Sequence, residues 1–262
     1  MVLAHCVQHV AIPALPVSVA MLTTLPEKSL SDTRVLTLLA QKDPVFLTRL
    51  LSLAMQPEVT RGKRYACNAE DAIEMIGASN ALAAMLEITN DKQSTPVHNV
   101  RHLAEKFVLR RCLAYALTAR RLAAYLELDS ASTAQLLLAA LLDNLSLYVA
   151  IHADCSESIV IQRELAKRDD NIGYILRHSP PLADYSLLAI QLGRAWHVPI
   201  DILDILESTK NPLHNLLLAV ERMVDAKRRK VSQQQALLEL IRGHTEWASR
   251  LRPGEIDLAV LR

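Results

Sequence analysis

The chain has 262 residues, 51% of them hydrophobic, with 29 Lys plus Arg against 28 Asp plus Glu. That is enough apolar material for one large domain or two small ones, and a net charge of +1 supplies no global field for nucleic acid or an anionic membrane. Six glycines and 4% aromatic residues, beside many Leu and Ala, exclude a β-rich design and predict an all-α fold.

The opening MVLAHCVQHVAIPALPVSVAML has no early positive region, and Pro13 and Pro16 interrupt it before a signal-peptide core could form, so a cytoplasmic protein is expected. Nothing approaches the roughly 18 uninterrupted apolar residues of a spanning helix. Pro16 suits the first turn of a helix that Pro26 ends. Ser31 or Asp32 caps the next helix, and KDP at Lys42 to Pro44 restarts the chain into Val45 to Met55. Gln56 to Arg64, with Pro57 and Gly62, reads as a connecting loop. Asn68 can cap a helix that Gly77 closes, and Ser79 to Thr89 adds another amphipathic segment. NDKQSTP, Asn90 to Pro96, reads as a lobe boundary.

Two long helices are expected beyond it, about Val97 to Leu126 and about Ser130 to Ala153, joined by the turn DSAST. Shorter helices follow near Ser156 to Lys167, Asn171 to Arg177, Leu182 to His197 and Pro199 to Ser208. Asn211 to Lys230 and Ser232 to Arg250 form a terminal pair. The expected division is residues 1–95, 96–210 and 211–262.

The candidate chemistry is sparse. Cys6, Cys67, Cys112 and Cys155 make no C-x-x-C pair and read as small buried hydrophobes in a reducing compartment. His5 with His9, and His98 with His102, stand at i, i+4, but each pair lacks a third ligand and reads as solvated or capping. Phosphate-loop, dinucleotide and nucleophile-elbow signatures are all missing. The run Lys227, Arg228, Arg229 and Lys230 complements a helix C-terminus, or else meets an anionic partner. Arg110 and Arg121 are eleven residues apart, about three turns, and so share a helix face with anion-binding character.

Three N-terminal stretches in order, IPALPVSVAMLTTL (Ile12 to Leu25), LAQKDPVFLTRLLSLA (Leu39 to Ala54) and AEDAIEMIGASNALAAML (Ala69 to Leu86), resemble the HDOD family, bacterial signalling relatives of the HD-domain metal phosphohydrolases. FVLRRCLAYALTARRLA (Phe107 to Ala123), LLDNLS (Leu141 to Ser146) and LLAIQLGRAWHVPIDILDIL (Leu187 to Leu206) extend the likeness, which covers about Ala11 to Glu207. The resemblance implies a two-lobed helical domain, followed here by a C-terminal helical pair. Where the phosphohydrolases place a first histidine this chain has Arg111; where they place the His-Asp pair it has Asp143 and Asn144. Later histidines fall near Tyr185 and Ser208. A guanidinium offers a metal no lone pair, so no metal or other cofactor is expected. Arg111 and Asp143 either form an internal ion pair in the vacated position or each reach solvent.

The reading that follows is a non-catalytic signalling or scaffold protein acting on a protein partner, in cyclic-diguanylate-linked or two-component regulation. Asp91 to His102 and the helices from Asn211 onward are the expected contact regions. Two alternatives stand beside it. One is a degenerate metal phosphohydrolase built from Asp143, Asn144, His152 or His178; the other is a nucleic-acid or nucleotide-binding regulator using Arg110, Arg111, Arg120, Arg121 and the Lys227 to Lys230 cluster.

Overall fold

Helices make up all the regular structure among the residues described by the computed structural model, namely 14, 16–30, 32–61, 64–90, 99–153, 156–166 and 185–229; no strand occurs among them. In chain order they are α1 (Pro16–Thr24), α2 (Glu27–Leu30), α3 (Thr33–Lys42), α4 (Pro44–Ala54), α5 (Pro57–Thr60), α6 (Ala69–Ile76) and α7 (Ala78–Asn90). Then come α8 (Asn99–Tyr125), α9 (Ser130–His152), α10 (Ser156–Ala166), α11 (Tyr185–Ala195), α12 (Ile200–Glu207) and α13 (Pro212–Arg229). The expected segments at 171–177 and 232–250 lie outside the described residues, as do His5, His9, Cys6, Cys155 and His98.

Helix starts follow the side chains that can satisfy otherwise unpaired backbone amides. Asp32 accepts from the Arg34 amide at 2.8 Å, Asn68 from Asp71 at 2.9 Å and Asp129 from Ser132 at 2.7 Å. Asp43 does the same for α4, accepting from the Val45 amide at 2.9 Å, with Pro44 supplying the preset first-turn φ. Unlike Asp32, Asp43 is fully buried. Gly77 ends α6 at φ 84, a conformation that side chains with a Cβ avoid. The stretch expected as a plain loop, Gln56 to Arg64, contains the single turn α5, because Pro57 starts a helix as readily as it breaks one. Arg61, at φ 46, stops it.

The core is organised around α9. Helices α8, α11, α12, α4, α10 and α13 all pack on it. From Leu136 to Ile151 every residue except Asp143 is buried, which is why its sequence is apolar on all sides rather than striped. By length and composition α9 could cross a membrane, a property the run-length argument on the sequence did not register, yet 89% of its most apolar window is buried inside the protein. The N-terminal helices join this centre through α4, which packs on α3, α6 and α7 on one side and on α9 and α8 on the other. Gln56 beyond it donates to the His197 carbonyl in the turn before α12. Gly193 lets α11 approach α12, since a Cβ there would strike the Leu203 side chain.

Asp43 thus holds the start of the helix that bridges the two groups. Replacing Asp43 with Ala is expected to cost about 2 kcal/mol, and Asp32→Ala about 0.5–1 kcal/mol at its exposed cap. Urea unfolding of the two variants checks this; equal, small losses would contradict it.

Candidate functional site

The turn between α8 and α9 is short, so the helices return antiparallel, and their polar contacts follow that register: Arg111 meets Asn144, and Glu105 meets His152. Asn144, Tyr148 and His152 stand one per turn on α9, forming a polar seam against α8 inside an otherwise apolar interface.

Arg111 is 2% exposed. Its Nε donates to Asn144 Oδ1 at 3.0 Å, and its guanidinium donates to the Tyr115 hydroxyl while lying 4.7 Å from that ring's centroid. Asn144 returns its own amide hydrogen to the Ala140 carbonyl at 3.0 Å. Each polar group in this pocket therefore has a partner, as burial requires.

The pairing expected between Arg111 and Asp143 takes a different form. The direct bond runs one residue further on, to Asn144, because consecutive residues on a helix point about 100° apart. Asp143 is turned away from that bond and feels Arg111 through its charge, a pull that other effects outweigh. Burial, and then the charge of Glu221 on α13, push its carboxyl up to about 7. Glu221 is itself buried. It sits among Leu217, Val220 and Val224 on the apolar stripe of α13, a position legible in the sequence as a carboxylate on the wrong face. The fully buried Cys112 thiol is also pushed up by burial, and it feels Arg111, Asp143 and Asp43 together, so charges from α8, α9 and the α4 cap converge near it.

The other end of the seam is a second cluster. Arg101 Nε donates to Glu105 Oε1 at 3.2 Å, His152 Nε2 lies 3.2 Å from the same oxygen, and the Arg101 guanidinium also reaches His152 Nδ1. Tyr148 packs on the His152 ring at 4.5 Å between centroids. Burial holds His152 below the usual imidazole range despite Glu105. For Glu105 burial opposes ionisation, but His152 and Arg101 outweigh it and keep the carboxyl below its usual range. His102 is half-exposed, with Nδ1 3.7 Å from Glu105 Oε2. The sequence signal for this cluster was the i, i+4, i+8 placement of Asn144, Tyr148 and His152.

A phosphohydrolase metal needs neutral imidazoles and carboxylates around one point. The residues at those positions do not fit one. A buried guanidinium stands at the first, Asp143 and an amide engaged with that guanidinium stand at the pair, and among the described residues no three His, Cys, Asp or Glu side chains gather as ligands. Asp143 and His152 are nine residues apart, about 13.5 Å and half a turn around α9, so the structure does not bring them together. His178 lies outside the described residues. Tyr185 is the first residue of α11, and Ser208 ends α12, its Oγ accepting from the Lys210 amide at 3.4 Å. Lys227, Arg228 and Arg229 close α13, while Lys230 lies outside the described residues. Arg110 is exposed on α8, and Arg121 is half-buried on nearly the same face. An open groove of about 990 Å³ among the N-terminal helices is lined by Arg49, Arg61, Glu58 and Glu87, with Arg49 and Glu87 paired at 3.1 Å.

The raised carboxyl gives Asp143 a defined pH signature. A carboxyl whose folded pKa lies above its unfolded value near 3.8 contributes most below that value, and its contribution is lost as pH rises towards 7. Asp143→Asn is therefore expected to be more stable than the parent at pH 8 by on the order of 2 kcal/mol, with the gap closing as pH falls towards 4. Thermal unfolding across that range checks it; a gap independent of pH would contradict it.

The HDOD domain family matches residues 12–212. No curated protein matches. Among solved structures, the MmoQ response regulator from Methylococcus capsulatus str. Bath superposes with a TM-score of 0.62 at 20% identity, covering 97% of this chain and 99% of that one. A virulence factor (cj0248) from Campylobacter jejuni subsp. jejuni gives a TM-score of 0.55 at 16% identity, covering 99% and 93%. At those identities the two structures speak for the fold. The family match spans most of the sequence and includes all three stretches of Ile12 to Leu86 and both long helices: the chain belongs to the HDOD domain family.

Proposed function

We propose that this chain is a non-catalytic HDOD signalling or scaffold protein that works in the cytoplasm through contacts with protein partners, in two-component or cyclic-diguanylate-linked regulation. The observation that carries the reading is the buried bond from Arg111 to Asn144. It sets a permanent positive charge where a phosphohydrolase needs a metal ligand, and it commits the neighbouring amide as well. The charge stays, because a guanidinium remains protonated at any pH the protein meets. The signalling context is supported by the family and by the response regulator that shares the fold.

The competing phosphohydrolase reading would need Asp143, Asn144 and His152 to cooperate, and Asp143 and His152 lie about two and a half turns apart on opposite faces of α9. The test is metal content after incubation with manganese, iron or zinc and removal of loose ions, together with hydrolysis assays on cyclic dinucleotides. The expected result is far less than one ion per chain and no turnover. Stoichiometric metal with turnover would overturn the proposal.

A further inference from the structure

Two exposed faces of opposite sign lie on α8 and α12. On α8, His102, Lys106, Arg110, Leu113, Leu117 and Arg120 fall within an arc of roughly 80° at 100° per residue, forming one stripe. Lys106, Arg110 and Arg120 are exposed, Leu117 is 48% exposed, and no carboxylate lies in the stripe. On α12 the outward residues are Ile200, Asp201, Asp204 and Glu207; Ile200 is 71% exposed and no cation lies among them.

Asp204 also accepts from the Asn211 side chain at 3.0 Å. Among the described residues none of Lys106, Arg110, Arg120, Asp201, Asp204 and Glu207 has an ion-pair partner within 4.0 Å. Within one molecule α12 packs on α9, α11 and α13, whereas α8 packs on α9, α10, α13 and α4.

We infer that these faces bind each other between molecules, the basic stripe of α8 on one copy receiving the acidic end of α12 from the next. An antiparallel docking fits the spacings. Glu207 to Ile200 and Lys106 to Leu113 each span seven residues, about 10.5 Å. Glu207 then meets Lys106, Asp201 and Asp204 meet Arg110, and Ile200 covers the partly exposed Leu113 beside the exposed Leu117 between the cations. That last contact favours a second copy over nucleic acid, since a phosphate backbone would leave the leucines facing charge, while Ile200 removes them from water. The same patch does not meet itself, so the contact is head-to-tail, and association continues beyond a dimer unless the rotation closes a ring. The inference is independent of the metal question, which the ion-content measurement decides separately.

Sedimentation of the full chain over a concentration series tests it, with two variants: Lys106→Glu/Arg110→Glu and Asp201→Lys/Asp204→Lys. All four positions are exposed, and unchanged helical circular dichroism confirms folding. The parent is expected to associate, more weakly at high salt. Each variant alone should lose at least about tenfold in self-affinity, because like charges now face each other. An equimolar mixture should recover association, since the acidic α8 of one variant complements the basic α12 of the other and the two native faces still pair. A parent that stays monomeric throughout, or a mixture that fails to recover, overturns the inference. So does a duplex DNA that binds the parent, loses binding to the α8 variant and leaves self-association unaffected by either variant.

Discussion

Burying a guanidinium is costly unless its hydrogen bonds are met, and the centre of this protein is built around meeting them for Arg111. Asn144 from the facing helix and Tyr115 one turn along its own helix supply partners. That requirement fixes the register of α8 against α9, and α9 is the element on which most other helices pack. Slipping the pair by a turn would separate Arg111 from Asn144 and Glu105 from His152 together. The same requirement bears on chemistry, because a guanidinium has no lone pair for a metal and the Asn144 amide is already engaged with it.

Close to this bond, burial first and then the charge of Glu221 push the Asp143 carboxyl up to about 7, against the pull of Arg111. Glu221 ties α13 into the same set of charges, so the helix beyond most of the family match is coupled to the centre of the domain rather than appended to it. The exposed faces of α8 and α12 carry opposite charge outside this buried centre.

Much of the fold was legible because its signals are local. Asp32, Asp43, Asn68 and Asp129 cap helices where their side chains can reach the next amides, and Gly77 ends one through its backbone freedom. The long α8 and α9 appear within two residues of where periodicity and the DSAST turn put them. Arg111, Asp143 and Asn144 were singled out in the sequence through the resemblance, which left open which of the two neighbours Arg111 would reach. That choice depends on the rotation of α9 about its axis, which packing sets and local sequence does not. Glu221 and the Arg101, Glu105 and His152 cluster were missed for the same reason. Their partners lie on other helices or several turns away; Glu221 does stand on the apolar face of its own helix, but what it meets there is set by packing. The short α5 was missed because proline opens a turn as well as it interrupts one.

The central claim is that the Arg111 to Asn144 bond is a coupled structural unit and not two coincident side chains. A double-mutant cycle in denaturant unfolding measures this directly, using Arg111→Met, Asn144→Leu and the combined variant. The account predicts that each single change leaves a buried polar group without its partner, and that the pair together costs less than the sum by about 1–3 kcal/mol. Additivity to within about 0.5 kcal/mol would contradict it.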